Sequence, residues 1–340
     1  MAPSSAALAV APIRAQPELS DIFDLVRDDF SRVNRLIPRQ LSSGIALVEE
    51  IGHHIVNAGG KRLRPLIVLL AARACGFEGT GSNPIRLATV IEFLHTATLL
   101  HDDVVDKSAR RRGRATANML WGNAPSVLVG DFLYSRGFQL MVEIDSMDVM
   151  AIVSDATNLI AEGEVMQLAN IGKVDMTEAE YREVARRKTA MLFQAAAHTG
   201  AVLGTEDADA IDALRRYGLR FGMAYQLVDD WLDYAGDSLA MGKDAGDDLA
   251  EGKVTLPLIH TMVHGSCADT GIVRDAIRRR SADDFRAVAN AVHASGGLDY
   301  TKACAEDEAG LAMEELLALP PSRYRDALEG LATFAVSRMA

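Results

Sequence analysis

The chain has 340 residues, 49% of them hydrophobic and 24% charged, enough to bury a full core, which excludes a peptide hormone, a fibre and a disordered tail. Forty-seven acidic against 35 basic residues give a formal net charge of −12. That balance opposes nonspecific attraction to nucleic acid or anionic lipid and makes a cation or a metal the easier partner.

Residues 1–20 open on an Ala-, Pro- and Ser-rich stretch whose single basic residue up to Gln16 is Arg14. This lacks the charged start of a secretory signal and reads as a disordered lead. From Asp21 to the end, Ala, Leu, Met, Arg and Glu dominate, with apolar residues three and four apart, so residues 21–340 are expected to form one all-α domain, a helical bundle. Breaks are expected where Gly, Pro, Asn and Asp gather: Ala58–Gly60, Gly76–Pro84, Gly122–Pro125, Gly172–Thr177, Gly236–Gly252 and Gly265–Thr270. Thr177 and Glu180 predict a capping box opening the helix that carries Tyr181 to Leu203. No apolar run is long enough for a transmembrane span. Three distant cysteines, Cys75, Cys267 and Cys304, form no CxxC site and suit a reducing cytoplasm.

The chemistry-bearing residues follow in order. Gly59, Gly60, Lys61, Arg62, Leu63, Arg64 and Pro65 form a basic stretch. His95 lies seven residues before the cluster Asp102, Asp103, Val104, Val105, Asp106, and Arg110, Arg111, Arg112 and Gly113 come just after it. Lys188 and Thr189 follow, then Gln226 three residues before a second cluster, Asp229, Asp230, Trp231, Leu232, Asp233, with Lys243 and Lys253 beyond it. Each DDxxD places carboxylates four residues apart on one helix face, where like charges repel unless something positive offsets them. One such cluster is commonly a solvated acidic face; two within apolar helices point to a shared cation. Hard oxygens without His or Cys in ligand spacing favour Mg²⁺ completed by water and substrate phosphate. Guanidinium forks and lysines can hold the diphosphate of a second substrate.

GGKRLRP at Gly59–Pro65, LLHDDVVD at Leu99–Asp106, RRG at Arg111–Gly113, QLVDDWLD at Gln226–Asp233 and GDDLAEGKVTLPL at Gly246–Leu258 together resemble the trans-polyprenyl diphosphate synthase family, near its long-chain, octaprenyl and decaprenyl members. The resemblance implies an all-α fold around a deep central cavity with the aspartate clusters facing across its mouth. It implies Asp102, Asp106 and Asp229 as Mg²⁺ ligands, with Asp103, Asp230 and Asp233 in support. Arg111, Lys188, Lys243 and Lys253 would hold an allylic diphosphate of farnesyl or geranyl type. Lys61, Arg64, His95 and Arg112 would bind isopentenyl diphosphate, while Lys188, Thr189 and Gln226 would form the catalytic group beside the developing cation. The departing diphosphate would accept the proton.

Small residues at Ala97 and Thr98, five and four positions before Asp102, stand where short-chain relatives carry bulky aromatics. They are expected to leave a tunnel open for about eight to ten isoprene units, closed by candidates such as Ile91, Leu94, Phe132 or Met141. The product would supply a quinone (ubiquinone) side chain. The resemblance also suggests a cytoplasmic homodimer, with at most a transient membrane contact on product release; no basic amphipathic anchor is apparent in the sequence. A class I terpene cyclase would leave Lys61, Arg64 and Arg112 without a role, and a non-catalytic partner subunit would not need both aspartate clusters complete.

Overall fold

The structure, a computed structural model, describes residues 18–235 and 246–339. Lys243 and most of the expected N-terminal lead lie outside these residues. Leu19 and Ser20 do not belong to a disordered lead: they open helix α1 (Leu19–Asp24), where the Glu18 N–H donates to Asp21 at 3.3 Å.

Helices α2 (Arg27–Leu41), α3 (Ala46–Val56), α4 (Leu63–Ala74) and α5 (Asn83–Val105) come next. A two-residue hairpin (β1, Arg110–Arg111; β2, Arg114–Ala115) is the only sheet among the described residues. Then follow α6 (Ala117–Trp121), α7 (Asn123–Ile144), α8 (Met147–Asn170) and α9 (Glu178–Ala185), a π-helical turn (Arg186–Ala190), α10 (Met191–Gly204) and α11 (Ala208–Tyr234). After the undescribed stretch come α12 (Asp247–Glu251), α13 (Leu256–His264), α14 (Cys267–Arg279), α15 (Phe285–Ala294), α16 (Gly297–Glu315) and α17 (Arg323–Ser337).

Local chemistry sets these boundaries. The side chains of Ser146, Thr177, Asp207, Ser266 and Ser322 each accept from an N–H of the first turn that has no partner inside its helix. The Thr177–Glu180 capping box forms as expected. Pro84 and Pro125 fall inside the first turns of α5 and α7, where a missing N–H costs nothing, so those two breaks are shorter than the sequence suggested.

Helix α4 is buried almost all round and α5 along most of its length, so these two form the bundle's interior. Helix α7 runs antiparallel to α5, as Gly137 packs against Leu94 and Val90 while Asn83 at the start of α5 donates to the Ile144 carbonyl at the end of α7. Two apolar clusters result. One joins α2, α4, α5, α7, α10 and the first half of α11; the other joins the second half of α11 with α13 to α15. Helix α11 crosses the seam, placing Tyr217 and Phe221 in the first cluster and Leu227 and Leu232 in the second.

Candidate active site

At this seam lies a cavity of about 590 Å³, within the range of small-molecule sites. Its walls bring together Lys61, Asp102, Asp106, Arg111, Arg112, Lys188, Thr189, Gln226, Asp229, Asp230, Asp233 and Lys253. Residues scattered over nearly two hundred positions of the sequence therefore share one space.

The first aspartate cluster ends α5 and is met by cations. Lys253 Nζ donates to Asp106 at 3.0 Å, and Lys188 Nζ stands 4.0 Å from Asp102. Asp103 turns away into the protein, fully buried, where Arg111 donates to it through Nε and Nη2, each at 2.8 Å. Burial works to lower the Lys253 ammonium, but Asp248, Asp106 and Glu251 around it prevail and hold it above its ordinary value. Glu164 on α8 binds Lys188 at 2.6 Å. Its burial, with Asp102 and Asp106 nearby, pushes it up to about 7 despite that lysine.

Lys188 and Thr189 project from the π-helical turn, where the Met191 N–H reaches the Arg186 carbonyl five residues back. Helix α8 approaches so closely that a Cβ at Gly163 would lie 2.7 Å from the Lys188 backbone nitrogen. Glycine at 163 is what lets the turn seat against α8.

The second cluster, near the end of α11, is met mostly by neutral groups. Asp230 is buried and accepts from the Tyr181 hydroxyl at 2.5 Å and the Gln226 amide at 2.7 Å, and Thr189 in turn donates to Gln226 at 2.7 Å. Burial, reinforced by Asp248, pushes Asp230 up to about 8. Asp229 accepts from Arg338 at 2.7 Å; that arginine follows the last helix and lies over the Tyr225 ring.

The basic stretch before α4 meets the hairpin on one side of the cavity. The hairpin turn holds Arg112 at φ 51° and Gly113 at φ 75°, the pair of positive angles that a type I′ turn requires. Gly60 sits at φ 134°, where a side chain is strained, and a Cβ there would lie 2.5 Å from Arg112 Nη1 and displace that guanidinium. Arg64 and His95 do not line the cavity. They pair with each other at 3.2 Å, with Arg64 over the Phe193 ring. Burial lowers Arg64 to about 10; burial first, then Arg64, Arg112 and Arg111, hold His95 well below its usual range and therefore neutral.

Ala97 is fully buried and Thr98 donates to the His95 carbonyl at 2.8 Å; neither lines this cavity. Ile91, Leu94 and Met141, offered as tunnel floor, are buried. Sequence reasoning missed Tyr181, Glu164, Gln167, Asp248 and Arg338 as site residues. Glu164 and Gln167, three apart in a helix, could have been paired by spacing. Nothing local marks Arg338, which reaches the site only through the fold.

A family model described as polyprenyl synthetase matches residues 45–294. Octaprenyl diphosphate synthase of Escherichia coli is 47% identical over 321 residues, covering 94% of this chain and 99% of that protein. The all-trans-nonaprenyl-diphosphate synthase (geranyl-diphosphate specific) of Rhodobacter capsulatus is 44% identical, covering 94% and 98%. The crystal structure of a polyprenyl synthase from Caulobacter crescentus, complexed with calcium and isoprenyl diphosphate, superposes with a TM-score of 0.91 at 45% identity, covering 96% of this chain and all of that one.

Proposed function

The chain belongs to the polyprenyl synthetase family and is a long-chain trans-polyprenyl diphosphate synthase, a prenyltransferase; from that premise we propose that its cavity condenses isopentenyl diphosphate head to tail onto an allylic diphosphate of geranyl or farnesyl type. One observation carries the assignment of roles: two aspartate clusters and the cations Lys61, Arg111, Arg112, Lys188 and Lys253 line the same space.

The donor set fits Mg²⁺. Asp102, Asp106, Asp229, Asp230, Asp233 and Asp248 line the cavity with no His or Cys among the described residues of its walls, and the pressure that drives Asp230 and Glu164 towards protonation is what a divalent cation would relieve. Asp102, Asp106 and Asp229 hold the metal, with Asp103, Asp230 and Asp233 in support. Among the described residues no closed set of three ligands converges; Mg²⁺ typically takes one or two carboxylates and fills its octahedron with water and substrate phosphate. Bound there, it would stabilise charge developing on the departing diphosphate.

The remaining work falls to side chains. Lys188 and Lys253, already beside Asp102 and Asp106, move onto phosphate oxygens of the allylic substrate together with Arg111, and Lys243 is assigned with them from the sequence. Thr189 and Gln226, fixed by their mutual hydrogen bond, set oxygen dipoles beside the developing carbocation. Lys61 and Arg112 hold isopentenyl diphosphate; the Arg64–His95 pair, in which neutral His95 accepts from Arg64, lies outside that lining and is assigned with them from the sequence. The proton lost when the new double bond forms passes to the departing diphosphate.

The relatives named for eight and nine prenyl units support a product of about eight to ten, destined for a quinone (ubiquinone) side chain. Exposed Met119, Leu120, Leu128, Val165 and Leu168 on α6 to α8 support packing against a second copy as a homodimer. No described helix is long and apolar enough to cross a membrane, in keeping with a cytoplasmic enzyme. The test is incubation with farnesyl diphosphate, labelled isopentenyl diphosphate and Mg²⁺, with and without chelator. A ladder of long prenyl products that vanishes with chelator is expected. Metal-dependent diphosphate release without incorporation of label would overturn the reading.

A further inference from the structure

A second cleft lies at the opposite end of α5 from the aspartates. Arg32, Arg35 and Arg39 of α2 form one wall; Arg86 of α5 and Leu140 and Glu143 of α7 form the other. Four guanidinium groups thus face one carboxylate in a chain whose net charge is −12. Glu143 is already paired with Arg86 at 3.0 Å, and Arg32 is paired with Asp29 at 3.5 Å and tied to the Thr80 carbonyl at 3.1 Å. Arg35 and Arg39 are exposed and make no ion pair among the described residues; Arg35 reaches only the Ser31 hydroxyl. Helix α2 is amphipathic, burying Val33, Ile37 and Leu41 while Arg35 and Arg39 stand on its opposite, exposed face. No contiguous basic run announces the patch, which is why the sequence showed no anchor: its fourth arginine comes from a helix that starts more than forty residues later.

Position gives the patch meaning. Arg86 precedes Asp102 by sixteen residues in one helix, about 24 Å along its axis, with Ala97, Leu94 and Ile91 between them. A hydrocarbon chain growing away from the aspartates along α5 heads for this cleft. We infer that the arginine cleft docks the enzyme on an anionic phospholipid surface, setting the product's distal end against the bilayer. The inference rests on the synthase reading for the direction of chain growth; the docking itself rests on charge complementarity.

The full-length protein is sedimented with vesicles of phosphatidylcholine alone and of phosphatidylcholine mixed with phosphatidylglycerol. Binding to the mixed vesicles is expected, weakening as salt rises. The double variant Arg35→Glu/Arg39→Glu should lose about tenfold or more of that binding, Arg35→Lys/Arg39→Lys should keep it, and both should retain prenyl transfer in detergent. Equal partition into both vesicle types, or anionic binding that survives the charge reversal, overturns the inference. So does thermal stabilisation by inorganic phosphate without vesicle binding, which would mark a free-anion site, or retention of an acidic protein partner instead of vesicles. Vesicle binding needs no turnover, so its failure and the failure of the synthase reading are told apart.

Discussion

At the first aspartate cluster negative charge is answered by ammonium and guanidinium groups; at the second it is answered mainly by a phenol and an amide. Both carry the same DDxxD pattern, yet Asp106 meets Lys253 and Asp103 meets Arg111, while among the described residues the buried Asp230 is hydrogen-bonded by Tyr181 and Gln226 and rises to about 8. A motif fixes where carboxylates stand on a helix, and neighbours brought by other helices fix their charge. The first cluster is poised for a cation before any ligand arrives, whereas the second becomes an anionic partner once a cation is supplied.

Removing a carboxylate from the first cluster should break this contrast most severely. Asp102→Ala is expected to lower kcat by about a thousandfold, read from incorporation of labelled isopentenyl units. Tyr181→Phe takes a donor from Asp230, whose pKa then climbs further; the Mg²⁺ concentration for half-maximal rate should rise by about tenfold to a hundredfold, while Arg111, serving the other cluster, is untouched.

A pH series on the metal-free protein reads out the buried carboxylate of the second cluster. Asp230 sits at about 8 in the fold against 3.8 ordinarily. A raised pKa means its contribution to stability is full below about pH 4 and is lost as pH rises through 8. Thermal melts in chelator should therefore fall in Tm between pH 5 and 9 by an amount that Asp230→Asn flattens. The smallest effect belongs to Arg338→Ala. It breaks a pair whose Asp229 side chain is 40% exposed, so a change of about twofold to fivefold in KM for isopentenyl diphosphate is expected.

Much of this was legible beforehand because helix periodicity and aspartate spacing are local properties. The all-α fold, the Thr177–Glu180 cap and the membership of Lys61, Arg112, Lys188 and Gln226 in one site needed only the order of residues and a family likeness. Arg338 and the phenol partner of Asp230 needed the fold, since Tyr181 lies 49 positions from the aspartate it touches. For Ala97 and Thr98 the small size could be read from the sequence, and the fold adds that Ala97 is buried and that the Thr98 hydroxyl donates to the His95 carbonyl.

The turn at Arg186–Ala190 closes its hydrogen bond over five residues instead of four, so it holds one residue more than the helix around it. One residue is about 100° of rotation. The turn therefore works as a phase shifter: α9 keeps time with the aspartates of α11, α10 keeps time with the apolar face of α4, and a single uninterrupted helix could serve only one of the two. Deleting Arg187 would heal the hydrogen bonding and improve the helix as a helix, yet it would swing Lys188 and everything before it out of step with α10.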